Sequence, residues 1–267
     1  MFKHVFILLG LLLLWSTIVS ASTVTELNST GYGCSGGTTG GGCTSASGGN
    51  FTSPSFTPTT GDTVLVCMAV QNGPTYSITT SGYTWNHTTQ FTGGGDGTGI
   101  QIWWATSVPS GAATFLTGGT TGINYGTATF AILDVSAPGA QDQIGSGTTG
   151  NSAGLVTTAG NLAASNEIGI AVLFSDPNGV AQGTVTALSG WTPFTQIVNG
   201  LYSTVDIDYN VSAGTSGSTL TGGYSAFVGG GTSQAGVIIT FQNAGGGAVI
   251  GSELIGPSEI IGPNEIQ

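Results

Sequence analysis

Short apolar runs rich in β-branched residues recur along this chain and restrict its fold more than any other feature. Residues 61–70, Gly-Asp-Thr-Val-Leu-Val-Cys-Met-Ala-Val, are the clearest example. Such a run is typical of a central strand covered on both faces, although a short buried helix has the same pattern. Residues 130–135, 168–174 and 237–241 are runs of the same type. The sequence therefore predicts the interior of an all-β domain.

Turn-forming residues separate these runs at short intervals. The pair Ser81-Gly82 indicates a hairpin between residues 76–80 and 83–91, and Asn199-Gly200 indicates a second hairpin. No stretch has a convincing helical period. We expect about ten to twelve strands in a single antiparallel β-sandwich, jelly-roll or Ig-like in style, over residues 55–243.

Residues 1–21 have the pattern of a secretory signal. Lys3 provides the positive start, residues 5–14 are apolar apart from one glycine, and small residues end the segment at Ala21. An uncleaved anchor is the alternative, but the run is short for a membrane span and no basic cluster follows it. We expect cleavage after Ala21 and a secreted, extracellular or cell-surface protein.

Charge excludes two classes of partner. Lys3 is the only Lys or Arg, so the chain from Ser22 has twelve acidic and no basic side chains, a formal charge of −12. Nucleic-acid binding depends on Lys and Arg to neutralise phosphates, and binding to anionic membranes depends on the same residues. We therefore expect neither nucleic acid nor an anionic membrane surface as a partner.

Trypsin should leave the chain from Ser22 intact, whether it is folded or unfolded. Trypsin cleaves after Lys and Arg, and the chain has neither beyond Lys3. Mass spectrometry after digestion in denaturant checks this expectation, and any internal tryptic fragment would contradict it.

A Gly/Ser/Thr-rich N-terminal arm is predicted for residues 22–54. Cys34 and Cys43 lie in it, and in an exported protein so close a pair most readily forms a disulfide. A metal site is disfavoured because no His or further Cys lies nearby. Cys67 lies in an apolar run, and we interpret it as a buried small hydrophobic residue.

The C-terminal segment 244–267 combines a Gly linker with two hexads, Ile-Gly-Pro-Ser-Glu-Ile and Ile-Gly-Pro-Asn-Glu-Ile. A weakly ordered tail is the simpler interpretation. The alternative is an assembly peptide that joins a neighbour's sheet edge and makes a homo-oligomer or filament. The hexad isoleucines of this candidate assembly tail are Ile255, Ile260, Ile261 and Ile266.

Catalytic chemistry has little support in the sequence. Asp206 and Asp208 share one face of a predicted strand, but a solvated outer face explains them better than a glycosidase pair. His87 has no nucleophile motif around it and is interpreted as an exposed strand residue. Calcium is the one cofactor considered, with Asp96 and Asp176 as weak turn-located candidates and no EF-hand loop. We expect a protein without enzymatic activity, cofactor or resident metal.

Two surface features complete the set of candidate sites. Exposed aromatic residues could stack on sugar rings, and Asn-x-Ser/Thr sequons could accept glycans, although chance matches are the preferred interpretation in so Asn-, Ser- and Thr-rich a chain. The stacking candidates are Trp85, Trp191, Tyr202 and Tyr224, and the sequons are Asn28, Asn50, Asn86 and Asn210.

The region of residues 55–243 resembles β-sandwich modules that recur in bacterial secreted and cell-surface proteins and in some phage proteins. The segments 61–66, 82–86, 102–111 and 190–194 carry this resemblance. It implies an extracellular adhesive or structural role without catalytic residues. We therefore expect a structural or assembly subunit of a surface layer or filament, with a carbohydrate-binding or adhesive module as the alternative.

Overall fold

The computed structural model describes residues 22–33, 52–70, 76–93, 98–119, 127–136, 138–148, 154–176, 185–194, 197–199, 203–227 and 233–244. This part of the chain is all-β and contains no helix, as the sequence predicts. The strands are β1 Val24–Gly33, β2 Thr63–Val70, β3 Tyr76–Thr79, β4 Asn86–His87, β5 Phe91–Gly93, β6 Thr98–Ala105, β7 Leu116–Gly119, β8 Thr127–Val135, β9 Pro138–Thr148, β10 Gly154–Thr157, β11 Glu167–Asp176, β12 Val185–Ala187, β13 Thr192–Pro193, β14 Ile197–Asn199, β15 Ser203–Ala213, β16 Thr221–Phe227 and β17 Ser233–Asn243.

The strands form two large and two small antiparallel sheets. The first large sheet has the order β1-β8-β2-β6-β4, with β5 also paired to β6. The second large sheet has the order β13-β15-β11-β17-β9, with β14 also paired to β15. The first small sheet is β3-β7 and the second small sheet is β10-β16-β12. Strand β1 lies in the predicted N-terminal arm, so the first large sheet includes residues before position 55.

Three apolar clusters hold these sheets together. The central cluster fills the space between the two large sheets, with Leu65 and Trp104 from the first and Val172 and Phe241 from the second. The first outer cluster packs the first small sheet onto the other face of the first large sheet, and the second outer cluster does the same in the second half. Both faces of the strongest apolar strands are therefore covered, which explains their nearly continuous hydrophobic sequence.

The two halves of the chain repeat one arrangement. Read from β1 and from β9, the orders of the two large sheets correspond strand for strand, and β3-β7 corresponds to β12-β16. Local hydrogen bonds repeat as well. Ser53 N donates to Phe115 O while Ser53 Oγ accepts from Phe115 N, and Thr158 and Leu220 make the same pair of bonds. The chain thus contains two structurally equivalent halves that share the central cluster.

A short sequence motif marks the same position in each half. Ser-Gly-Tyr-Thr at residues 81–84 matches Ser-Gly-Trp-Thr at residues 189–192. Gly82 and Gly190 both have positive φ, 81° and 86°, a conformation that favours glycine. At this turn the chain passes from a small sheet to a large one in both halves.

One predicted hairpin is wrong and the other is confirmed. Strand β3 pairs with β7 in the small sheet, whereas β4 pairs with β6 in the large sheet, so residues 76–91 do not form a hairpin. Strands β14 and β15 pair as a hairpin, as predicted, but Asn199 is the last residue of β14 and lies opposite Ser203, so it belongs to the strand and not to a two-residue turn.

Candidate functional site

A cleft of about 400 Å³ opens between strand β4, at the edge of the first large sheet, and strand β9, at the edge of the second. Strand β10 forms its third side. Gly145 permits the close approach of β10, because a side chain there would collide with the backbone oxygen of Thr157. The side chains that line the cleft carry hydroxyl, imidazole and small apolar groups: His87, Thr89, Ile144, Ser146, Thr157 and Ala159.

Three neighbours fix the imidazole of His87 at the mouth of this cleft. Its ring packs on Trp103 with centroids 4.3 Å apart. Nδ1 lies 2.9 Å from Nε2 of the buried Gln101 and 2.9 Å from the carbonyl oxygen of Thr88. Gln101 Nε2 also donates to that carbonyl at 2.6 Å, which fixes the amide. Both contacts of the imidazole fall on Nδ1, so Nε2 is the ring nitrogen available to a ligand.

The repeated fold does not require this arrangement. Strand register places Pro193 at the position of His87 and Asp208 at that of Trp103. Two residues along the same strand, Asp206 takes the position of Gln101. The second half has the same strand order with these other residues, so the fold itself does not require a histidine held by Gln101 and Trp103. The imidazole is therefore a feature of the first half alone.

Asp206 and Asp208 are buried, so the prediction of a solvated outer face is wrong. Their exposed fractions are 2% and 1%. Val205 and Ile207 face the central cluster as expected, but the opposite face of β15 is covered by the second outer cluster and by Tyr224 of the second small sheet. Sequence alternation identified the shared face correctly and gave no signal that a distant sheet covers it.

Burial raises the pKa of several of these groups. It raises the pKa of the Asp208 carboxyl from 3.8 to about 7, because the charged form loses solvation. The pKa of Tyr224 is also raised, by burial first and then by the charges of Asp206 and Asp208, which lie near it. Glu167 is buried as well, and burial raises its pKa despite the hydrogen bond that it accepts from Ala164 N. No Lys or Arg follows residue 3, so protons are the natural means of neutralising these carboxylates.

The aromatic residues predicted to stack on sugars do not line one surface. Trp191 is 8% exposed and Tyr224 is fully buried, and both belong to the second outer cluster. A ring covered in this way has no face left for a sugar, so the stacking prediction is wrong for these two residues, which pack in the core. Trp85 is half-buried and stacked on Tyr83. Tyr202 lies outside the described residues.

The other candidate residues are placed as follows. Cys67 is fully buried, as predicted, and burial raises the pKa of its thiol. Among the sequons, Asn86 is exposed while Asn28 and Asn210 are half-buried, and Asn210 Oδ1 accepts a hydrogen bond from Ser212 N. Asp176 ends β11. Outside the described residues lie Cys34, Cys43, Asn50, Asp96 and the hexad isoleucines Ile255, Ile260, Ile261 and Ile266.

The described residues contain no group of three or more His, Cys, Asp or Glu side chains arranged to hold a metal ion. They also include no helix with the length and apolarity needed to cross a membrane. In comparisons with known proteins, no family model, no curated protein and no solved structure matches this chain.

Proposed function

We propose that this protein is a secreted or cell-surface structural subunit that assembles into a layer or filament and has no catalytic activity. In this proposal the two large sheets form a single β-sandwich, residues 1–21 direct export, and the C-terminal tail joins neighbouring copies. A homo-oligomer is the expected partner state.

One observation carries the proposal: most of the candidate catalytic and stacking side chains that the structure describes are buried and used for packing. The carboxyls of Asp206 and Asp208 and the rings of Trp191 and Tyr224 are buried between the second large sheet and the second small sheet. The Glu167 carboxyl is buried at the start of β11, where it accepts a hydrogen bond from Ala164 N. An enzyme or an aromatic glycan-binding platform needs such groups at an accessible surface. Two structurally equivalent halves whose sheet faces are covered suit a structural subunit better than an enzyme or a glycan-binding protein.

A carbohydrate-binding or adhesive module is the second candidate, and it has less support. Of the four predicted stacking residues, Trp191 and Tyr224 lie in the core. The hydroxyl-lined cleft at His87 is the feature that favours this second candidate, because it could bind a small polar ligand.

Removing the tail should abolish assembly. The chain from Ser22 to Gln267 and a chain ending at Ala244 can be compared by size-exclusion chromatography with multi-angle light scattering. Strand β17 ends at Asn243, so the truncation removes no described strand. We expect the longer chain to assemble and the shorter chain to be monomeric with the same near-UV circular dichroism. Monomers in both samples would exclude tail-mediated assembly.

A further inference from the structure

We propose that the cleft at His87 binds the glutamate side chains of the C-terminal hexads, Glu259 and Glu265, from a second copy of the protein. This inference rests on the proposed assembly function and names the surface that receives the tail.

The chemistry of the cleft suits a carboxylate. His87 is the only His, Lys or Arg after residue 21, since no Lys or Arg follows Lys3 and the other histidine is His4. Its Nε2 is available, and Thr89 and Ser146 add hydroxyl groups to the lining of the cleft, as does Thr157, whose Oγ1 is also hydrogen-bonded to Thr221 Oγ1. A carboxylate accepts charge-assisted hydrogen bonds of this kind, which are stronger than those between neutral groups.

The tail carries this chemistry at regular spacing. Each hexad holds one Glu between isoleucines, so a bound hexad would bring a carboxylate to the imidazole and an apolar side chain towards Ile144 and Ala159. The proline in each hexad has no N–H, which suits an extended segment at a sheet edge better than one within a sheet.

The direction of the chain favours a second copy over the protein's own tail. The cleft-lining part of β9 pairs with Val237–Ile239, whereas the tail follows Asn243, which pairs with Pro138 at the other end of β9. The chain therefore leaves β17 heading away from the cleft. Its last 23 residues, 245–267, could span roughly 75 Å when extended, enough to reach a neighbouring molecule without turning back.

The single histidine provides a direct probe. In the chain from Ser22, the imidazole Cε1–H resonance of ¹³C-histidine-labelled protein arises from His87 alone. It can be recorded over a concentration series for the wild type, for the double variant Glu259→Gln/Glu265→Gln, and for Glu253→Gln, a matched change outside the two hexads. Light scattering on the same samples gives the oligomeric state, and His87→Gln is added to that measurement.

We expect the His87 resonance to move with concentration in the wild type and in Glu253→Gln, and to move only at roughly tenfold higher concentration in the double variant. The double variant and His87→Gln should both weaken association by roughly tenfold, the scale of one charge-assisted hydrogen bond. A chain that assembles while its His87 resonance stays constant, or is the same in the double variant, would overturn the cleft assignment and leave the proposed function standing. A monomer at all concentrations would overturn both. A concentration-independent difference between wild type and double variant would show docking of the protein's own tail, which contradicts the second copy as occupant.

Discussion

Replacing Asp208 by asparagine should make the protein more stable than the wild type at pH 8 and should remove most of the pH dependence of its stability. The Asp208 carboxyl is buried between β15 and the second small sheet, and burial raises its pKa from 3.8 to about 7. The folded carboxyl thus binds its proton more tightly than the unfolded one. Its contribution to stability is complete below about pH 4 and is lost as the pH rises through about 7.

The size of the effect follows from the difference between the two pKa values. At about 1.4 kcal/mol per pKa unit, the wild type should lose about 4 kcal/mol of unfolding free energy between pH 4 and pH 8. Asparagine has nearly the same shape and no charge, so the variant avoids this loss. A smaller slope of the same sign should remain, because burial also raises the pKa of Glu167.

Urea unfolding at pH 4, 6 and 8 measures this difference. Glu26→Gln in edge strand β1, a carboxyl-to-amide change at a half-buried position, is the control for the substitution itself. If the Asp208→Asn variant loses stability with rising pH as steeply as the wild type does, the charged Asp208 carboxylate costs the folded protein little free energy, which would contradict the prediction.

Replacing Gly223 by alanine should destabilise the protein by roughly 3 kcal/mol or more, a fall in Tm of roughly 10 °C for a chain of this length. Gly223 has φ of 116°, which an L side chain rarely adopts. A Cβ there would also collide with the backbone oxygen of Gly154 and come within 3.0 Å of Leu173 Cδ1. Because the backbone oxygen belongs to the paired strand β10, it has little freedom to move away.

Two matched glycines separate these causes in thermal unfolding. Gly217 has φ of 80° and open space around its Cβ position, so Gly217→Ala should show the conformational cost alone. Gly147 has open space and no positive φ, and Gly147→Ala should change stability by less than about 0.5 kcal/mol. Equal effects for all three substitutions would contradict the close packing of β10 on β16.

The strongest strands were predictable because their sequences need no distant information. Strands β2, β8, β11 and β17 each contain a continuous apolar run, and such a run is typical of a strand covered on both faces. Trp103 and Trp104 illustrate the same point, because adjacent strand residues face opposite ways and both are buried, one in the first outer cluster and one in the central cluster.

The candidate site was less predictable because it depends on contacts between distant segments. The sequence places Asp206 and Asp208 on one face, but their burial depends on a small sheet built partly from residues 154–157. The predicted hairpin at Ser81-Gly82 failed for a related reason, since the turn passes the chain between sheets instead of reversing it within one. The match of residues 81–84 with residues 189–192 marks the two positions of this turn, but four residues are too short a match to identify a repeat in a chain so rich in Gly, Ser and Thr.

The shared central cluster has a consequence for how the chain reaches this structure. Strand β1 pairs with β8, and the hydrogen bond from Thr23 N to Ser136 Oγ joins residues 113 positions apart. The apolar inner face of each large sheet forms only after strands distant in sequence have paired within that half. This face is buried only when the large sheet of the other half has also formed and packed against it. Loop-closure entropy therefore opposes the early contacts, and folding should be slow for a protein of this size, with exposed strand edges until both halves meet.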